Sequence, residues 1–201
     1  SLLIAEKLRE HYGHFEIAEH LVEKQTDSLD AYEYSLKAKF HFNKWNPDDV
    51  AKSIDLWDKA LAIDPNHIPS LVGIADAYGF MGVTQRMPYE EAWTKTAEYT
   101  NKALELDPNN APAHYQLANI SFFVKADFQE SFKHAKKSVE LKANYPEAQQ
   151  FIAFLYLLIG DRKQAWNHLE LALEIDPLSQ ETIFYKAYHH YSAEEFDIAM
   201  G

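Results

Sequence analysis

Cysteine is absent from the 201 residues of this chain, and glycine is scarce, with only six residues. Without cysteine the chain can form no disulfide bond, thiolate metal site or iron–sulfur cluster, and it has no cysteine nucleophile. The six glycines form no phosphate-binding loop, and neither a Gly-x-Ser-x-Gly nor a His-Glu-x-x-His motif occurs. We therefore expect no catalytic centre, no cofactor and no resident metal, and we predict that the chain is not an enzyme.

The chain also has few basic residues and no long apolar run. The chain has 19 Lys and Arg against 31 Asp and Glu, which gives a net charge of −12. Nucleic acids and anionic membranes are bound by clustered Lys and Arg, so we expect this chain to bind neither directly. The longest uncharged apolar run, Phe151 to Gly160, has 10 residues, about half of what a membrane span needs. Together with the lack of cysteine, these features indicate a cytoplasmic location.

Ten histidines raise the question of a metal site. His11, His14 and His20 are close in sequence, but no cysteine or nearby carboxylate completes a tetrahedral ligand set. His189 and His190 are adjacent, and neighbouring side chains on a helix point about 100° apart, so they cannot bind one ion together. We interpret these histidines as surface or packing residues.

Four segments of the chain repeat one pattern, in which a helical run ends at Asp-Pro-Asn or a related sequence. The proline or its equivalent stands at Pro65, Pro108, Ala143 and Pro177, in steps of 43, 35 and 34 residues. A 34-residue period is typical of repeats built from paired helices.

Each unit also carries small residues at fixed places in its two helices. Small side chains seven residues apart lie on one helical face and allow two helices to approach closely. The alternative, an unrelated helical bundle with an alanine-rich core, does not explain why position and period recur together. The residues are Ala38, Ala75, Ala118, Ala153 and Ala187 in the first helices, and Ser53, Thr96, Ser131, Ala165 and Ala199, followed by Ala60, Ala103, Ser138 and Ala172, in the second helices.

These residues resemble the tetratricopeptide repeat (TPR) family. The unit from Pro146 to Pro177 is closest to the family pattern, with Gly160 and Ala165 in register, although the family's Trp near the start of the first helix is missing. The resemblance implies an all-α, right-handed superhelix of about five helix pairs, the last truncated, that binds proteins or peptides. It divides the chain into a helical linker or cap, residues 1–28, and an array over residues 29–201, with units at about 29–66, 67–109, 110–144, 145–178 and 179–201.

Two insertions make the chain similar to a particular subgroup of TPR arrays. We expect extra residues between the helices of the first unit, around Asn43 to Pro47, and of the second unit, from Gly79 to Glu91. With these, the chain is similar to the C-terminal arrays of bacterial multidomain regulators of the AraC or CadC type, or of adenylate and guanylate cyclase-like signalling proteins. Since both ends lie inside helical patterns, we expect a piece of a longer protein. We favour a transcriptional regulator, with the cyclase-type protein as the alternative.

A second stripe recurs at positions i, i+4 and i+7 of the first helices, away from the small residues. The resemblance implies that it lines a concave groove, where it would bind a peptide, another domain of the parent chain, or a small ligand that switches an output domain. The alternative is that the stripe fills contacts between adjacent units. The candidate residues are Lys39, Phe42, Asp76, Tyr115, Asn119, Phe122, Gln150, Phe154, Phe184, Tyr188 and Tyr191.

Overall fold

The computed structural model describes residues 26–192. The expected linker, residues 1–28, lies almost wholly outside this range, and the residues expected to form the second helix of the last unit lie outside it as well. All regular structure within the range is helical, and none of these helices combines the length and apolar character needed to cross a bilayer. The helices are α1 (Leu29–Phe42), α2 (Pro47–Ile63), α3 (Ile68–Val83), α4 (Tyr89–Leu106), α5 (Ala111–Phe123), α6 (Phe128–Leu141), α7 (Pro146–Leu158), α8 (Arg162–Ile175) and α9 (Gln180–Ser192).

The helices form four hairpins and one further first helix, which together make a solenoid. The closest packing is within the hairpins α1–α2, α3–α4, α5–α6 and α7–α8. The first helices α1, α3, α5, α7 and α9 also contact one another in sequence order, whereas the second helices α2, α4, α6 and α8 do not contact one another. Because one layer is close-packed and the other is splayed, the array curves with its first helices on the concave side.

The seam within each hairpin is built from the small residues that the sequence indicates. Among them, Ala38, Ala75 and Ala118 are fully buried. In α4 and α6 a hydroxyl side chain donates across the seam: Thr96 Oγ1 donates to the Ala75 carbonyl at 3.1 Å, and Ser131 Oγ donates to the Ala118 carbonyl at 2.9 Å. The hydroxyl is thus satisfied in an otherwise apolar contact, as a buried polar group requires.

Helix ends follow the local signals. The Asn46 side chain accepts from the Asp49 N–H and caps α2, whose first residue is Pro47. The helices α2, α4 and α8 end before the Asp-Pro turns, because proline cannot continue a helix. The Asp64, Asp107 and Asp176 side chains each accept from a backbone N–H two residues on, at 3.0 to 3.2 Å.

The turn inside each hairpin contains one residue in the left-handed backbone region. These residues are Trp45 (φ 52°), Gln85 (φ 57°), Ala126 (φ 53°) and Gly160 (φ 81°). Only the fourth unit uses glycine, which adopts this conformation without strain. The other three turns hold a non-glycine residue there at a cost of about 1–2 kcal/mol each.

The expectation that the insertions lie between helices is confirmed for the first unit, where residues 43–46 separate α1 from α2, and is wrong for most of the second insertion. In the second unit, residues 79–83 extend α3 and residues 89–91 begin α4, which leaves only residues 84–88 as a turn. The helices α3 and α4 have 16 and 18 residues, against 13 and 14 for α5 and α6. Gly79 and Gly82, which indicate a turn in the sequence, are both helical. Gly82 lets α3 approach α4, since a Cβ added there would lie 3.0 Å from the Ala92 Cβ.

Candidate functional site in the concave groove

Charged side chains from distant units meet on the concave face. Lys39 of α1 donates through Nζ to Glu147 Oε1 of α7 at 2.7 Å, across 108 residues of sequence. Asp76 of α3 and Glu181 of α9 lie within electrostatic range of the same ammonium. We call these four residues the charged cluster. It contains three carboxyl groups and one ammonium, so its acids are incompletely neutralised.

The surroundings of the charged cluster favour the protonated form of its acids. Burial, reinforced by Glu147, raises the pKa of Asp76 to about 6, against the opposing effects of Lys39 and a hydrogen bond from Gln116. Burial together with Asp76 and Glu147 raises the pKa of Glu181 to about 8. Burial opposes the charge on Lys39, but Glu147 outweighs it, so the pKa of Lys39 lies above its usual value. At pH 7 the cluster therefore holds a proton on Glu181.

Three tyrosines surround the charged cluster. Burial raises the pKa of Tyr115, Tyr145 and Tyr185, and the nearby carboxylates raise it further. All three therefore keep their hydroxyl protons and remain neutral groups that can donate or accept a hydrogen bond. The Tyr115 and Tyr145 rings meet edge to face, with centroids 5.7 Å apart.

The candidate residues of the second stripe divide by exposure. Phe184 and Tyr191 are 52% and 61% exposed, Tyr188 is 37% exposed, and 46% of the Lys39 side chain is exposed. Asp76, Phe122 and Phe154 are half-buried. The remaining four are buried, namely Phe42, Tyr115, Asn119 and Gln150.

The four buried candidates are occupied by contacts within and between units. The Phe42 ring packs on Trp57 of the same unit, with centroids 5.8 Å apart. Asn119 donates to the Tyr115 carbonyl of its own helix at 3.1 Å. Gln150 donates to Thr182 Oγ1 of the next unit at 2.5 Å. For these residues the structure favours the alternative that the stripe fills packing contacts.

The aromatic candidates form a continuous strip along the last three units. Phe122 meets Phe154 at 5.5 Å between centroids, and Phe154 meets Tyr188 at 6.3 Å. Tyr188 stacks on Phe184 at 6.4 Å. At the far end, Phe184 contacts Trp45 of the first hairpin turn at 5.8 Å. We call the exposed end of this strip, Phe184 and Tyr188, the aromatic edge.

Sequence reasoning missed Glu147, Glu181 and Trp45 as groove residues. Both glutamates stand in the first turn of a helix, where an acid is explained by the helix dipole. Their spacing of 34 residues equals the repeat period, and this is the signal that could have placed them on one face. No such signal exists for Trp45, since only the winding of the array brings it to α9.

The histidines show no metal-binding arrangement in the part of the chain that the structure describes, where no group of three His, Cys, Asp or Glu residues could hold an ion. His189 and His190 both lie on α9 and both contact the Trp166 ring, at 4.9 and 5.2 Å between centroids. His11, His14 and His20 lie outside the described residues.

Comparison with known proteins gives the fold a name. Residues 99–150 match the model of the tetratricopeptide repeat family. A thermophilic TPR protein of Thermus thermophilus superposes with a TM-score of 0.62 at 15% identity, over 96% of this chain and 88% of that one. This is a TPR fold. PilF of Pseudomonas aeruginosa also superposes, with a TM-score of 0.53 at 17% identity, over 85% of this chain and 72% of that one. A search of curated proteins finds no match.

The TPR fold confirms the expected fold class, an all-helical superhelix. At these identities, the likeness to the solved structures concerns the fold.

Proposed function

We propose that this chain is a non-catalytic TPR module that binds a protein or peptide segment in its concave groove. The observation that carries the proposal is the convergence of the charged cluster and the aromatic edge on that face, from units as far apart as the first and the fifth. Interaction surfaces are enriched in aromatic residues beside hydrogen-bonding groups. The curvature of the array presents these groups to one extended segment.

The charge balance of the groove supports a basic segment as the partner. Lys39 neutralises one of the three carboxyl groups of the charged cluster, and Glu181 retains a proton near neutral pH. An incoming Lys or Arg side chain would supply the missing positive charge and allow Glu181 to ionise. Binding would then release a proton, so we expect affinity for a basic segment to rise between pH 6 and pH 8.

The proposal is tested with the full chain and an array of labelled 12-residue peptides that share their apolar residues but are basic, neutral or acidic. The key variant is Phe184→Ala/Tyr188→Ala, whose side chains are exposed enough that the fold should be retained. We expect basic peptides to bind, and the variant to bind them at least tenfold more weakly.

Leu171→Ala is the matched control, because Leu171 is 44% exposed but lies on the second helix α8. It should bind basic peptides as the unaltered chain does. Equal binding by the aromatic-edge variant, or a preference for acidic peptides in the groove, would contradict the proposal.

We also propose that the module belongs to a cytoplasmic bacterial transcriptional regulator and senses another domain or protein, as the resemblance of its insertions implies. In the cyclase-type alternative the groove would hold a small ligand. A thermal-shift screen separates the two: stabilisation by peptides supports the interaction module, and stabilisation by metabolites without peptides supports the ligand sensor. The regulator proposal predicts a helix-turn-helix domain in the parent protein, and the alternative predicts a cyclase core.

A further inference from the structure

A shallow pocket of about 620 Å³ lies on the face opposite the concave groove. Its wall is the second helix α6, and it is closed at one side by Ile159, just after α7. The volume is within the range of about 300–1,000 Å³ that is usual for binding pockets. None of its lining residues belongs to the charged cluster or the aromatic edge.

The floor of the pocket is apolar and held by packing between two units. Phe132 meets the Phe128 ring at 6.0 Å and the Tyr156 ring of the next unit at 4.8 Å, edge to face. Tyr156 in turn stacks on His168 at 5.5 Å. Ile159 remains 57% exposed beside this floor. The pocket therefore offers a preformed apolar surface to an incoming side chain.

The rim of the pocket is basic, in a chain whose net charge is −12. Lys133, Lys136 and Lys137 fall within five residues and all line the pocket, with Glu140 as the carboxylate among the lining residues. Lys133 is paired with Glu130 at 3.1 Å, while the Lys136 ammonium lies 4.9 Å from the centre of the Phe132 ring. Positive charge is thus concentrated directly beside the apolar floor.

We propose that this outer pocket docks an acidic segment of a partner protein. One apolar side chain of the segment would enter between Phe132 and Ile159, and its carboxylates would pair with Lys136 and Lys137. Charge complementarity identifies the occupant, because three lysines line the pocket in a chain whose net charge is −12. A nucleic acid or an anionic membrane presents a long array of negative charge, which the overall charge of −12 repels.

The test uses the full chain and fluorescein-labelled acidic 12-residue peptides that carry one Leu, Phe or Trp at the centre. Lys136→Glu/Lys137→Glu should weaken binding at least tenfold at 50 mM salt, and Ile159→Ser should weaken it without changing its salt dependence. The matched control is Lys52→Glu/Lys59→Glu, which makes the same charge change on exposed positions of α2. We expect the control to stay within about twofold. Replacing the peptide's Asp and Glu by Asn and Gln should abolish binding.

The proposal would be overturned if no acidic peptide binds, or if both lysine double variants lose binding equally. It would also be overturned if duplex DNA or anionic vesicles bind the pocket more tightly than the peptides do. A dimer in sedimentation that only Lys136→Glu/Lys137→Glu dissociates would overturn it too, because the occupant would then be a second copy of the chain. Melting curves of both double variants must first agree with that of the unaltered chain. If the melting curves differ, the test rests on Ile159→Ser alone. An unchanged peptide affinity of this variant would then contradict the proposal.

Discussion

In the concave groove, the pKa values of Asp76 and Glu181 depend on charged residues that are distant in sequence. Asp76, Glu147 and Glu181 come from three different units, yet Glu147 raises the pKa of both Asp76 and Glu181, and Asp76 raises that of Glu181. Because burial and like charge act in the same direction, the folded state holds protons that the unfolded chain would release. The groove is therefore charged at some cost in stability.

This cost should appear as a dependence of the unfolding free energy on pH, and Glu181 should be the residue responsible for it. Its pKa is raised to about 8 in the folded chain, so from about pH 4.5 to pH 8 the folded state binds the proton more tightly and stability falls as pH rises. Glu181→Gln should remove this slope and make the chain about 1 kcal/mol more stable at pH 8.5, with little change at pH 5. Urea unfolding at both pH values measures it, with the exposed Glu105→Gln as control. Identical slopes for Glu181→Gln and the unaltered chain would contradict the account.

Two glycines of α3 should respond to alanine in opposite directions. A Cβ at Gly73 would lie 2.5 Å from ring atoms of the buried Trp57, whereas a Cβ at Gly79 meets nothing closer than 3.8 Å. Gly73→Ala should therefore destabilise the chain by about 1–3 kcal/mol through overpacking. Gly79→Ala should stabilise it by about 0.5–1 kcal/mol, because alanine favours a helix. Melting both variants checks the pair, and the same sign for both would refute the packing described.

Phe122 should act as a packing residue. Its ring meets Phe151 and Phe154 of the next unit at 6.1 and 5.5 Å and Phe123 at 5.0 Å. Because the ring is half-buried, Phe122→Ala should cost about 2–3 kcal/mol of unfolding free energy, somewhat less than a fully buried Phe. Chemical denaturation measures the loss. An unchanged midpoint would instead place Phe122 on the open groove surface.

At the scale of helices, stability depends on the close approach of each hairpin pair. Ala165 is 1% exposed at the seam between α7 and α8. Ala165→Trp should cost about 1–3 kcal/mol or more and unfold the fourth unit first, because the helix packing of each unit is with its own hairpin partner and its neighbours. Hydrogen exchange resolved by helix detects this loss in α7 and α8. Asn167→Trp, on an exposed position of the same helix, should leave exchange unchanged.

The helices could be predicted from sequence where local chemistry decides them. The Asp-Pro turns and the Asn46 cap act through hydrogen bonds within a few residues, so a single segment contains the signal. The extensions of α3 and α4 could not be predicted, because Gly79 and Gly82 are usual turn residues. In the fold Gly82 allows the close contact with Ala92 and Trp93, which is visible only once α3 and α4 are paired.

At the scale of the whole molecule, two side-chain contacts between described residues span the array. Lys39 reaches Glu147, and Trp45 reaches Phe184, so the first unit contacts the fourth and the fifth across the concave face. The repeat period predicts the units and their seam, but the winding that brings these residues together is a sum of small rotations between units. For this reason the sequence indicated Lys39 and Phe184 as groove residues without indicating their partners.

The most direct test of the central claim is hydrogen exchange of the full chain with and without the tightest basic peptide of the array. If the concave groove is the binding site, protection should rise in the first helices α1, α3, α7 and α9, where the charged cluster and aromatic edge lie, and at residues 43–46. The second helices α2, α4, α6 and α8 should be unchanged. Protection confined to the second helices, or none at a saturating peptide concentration, would contradict the account.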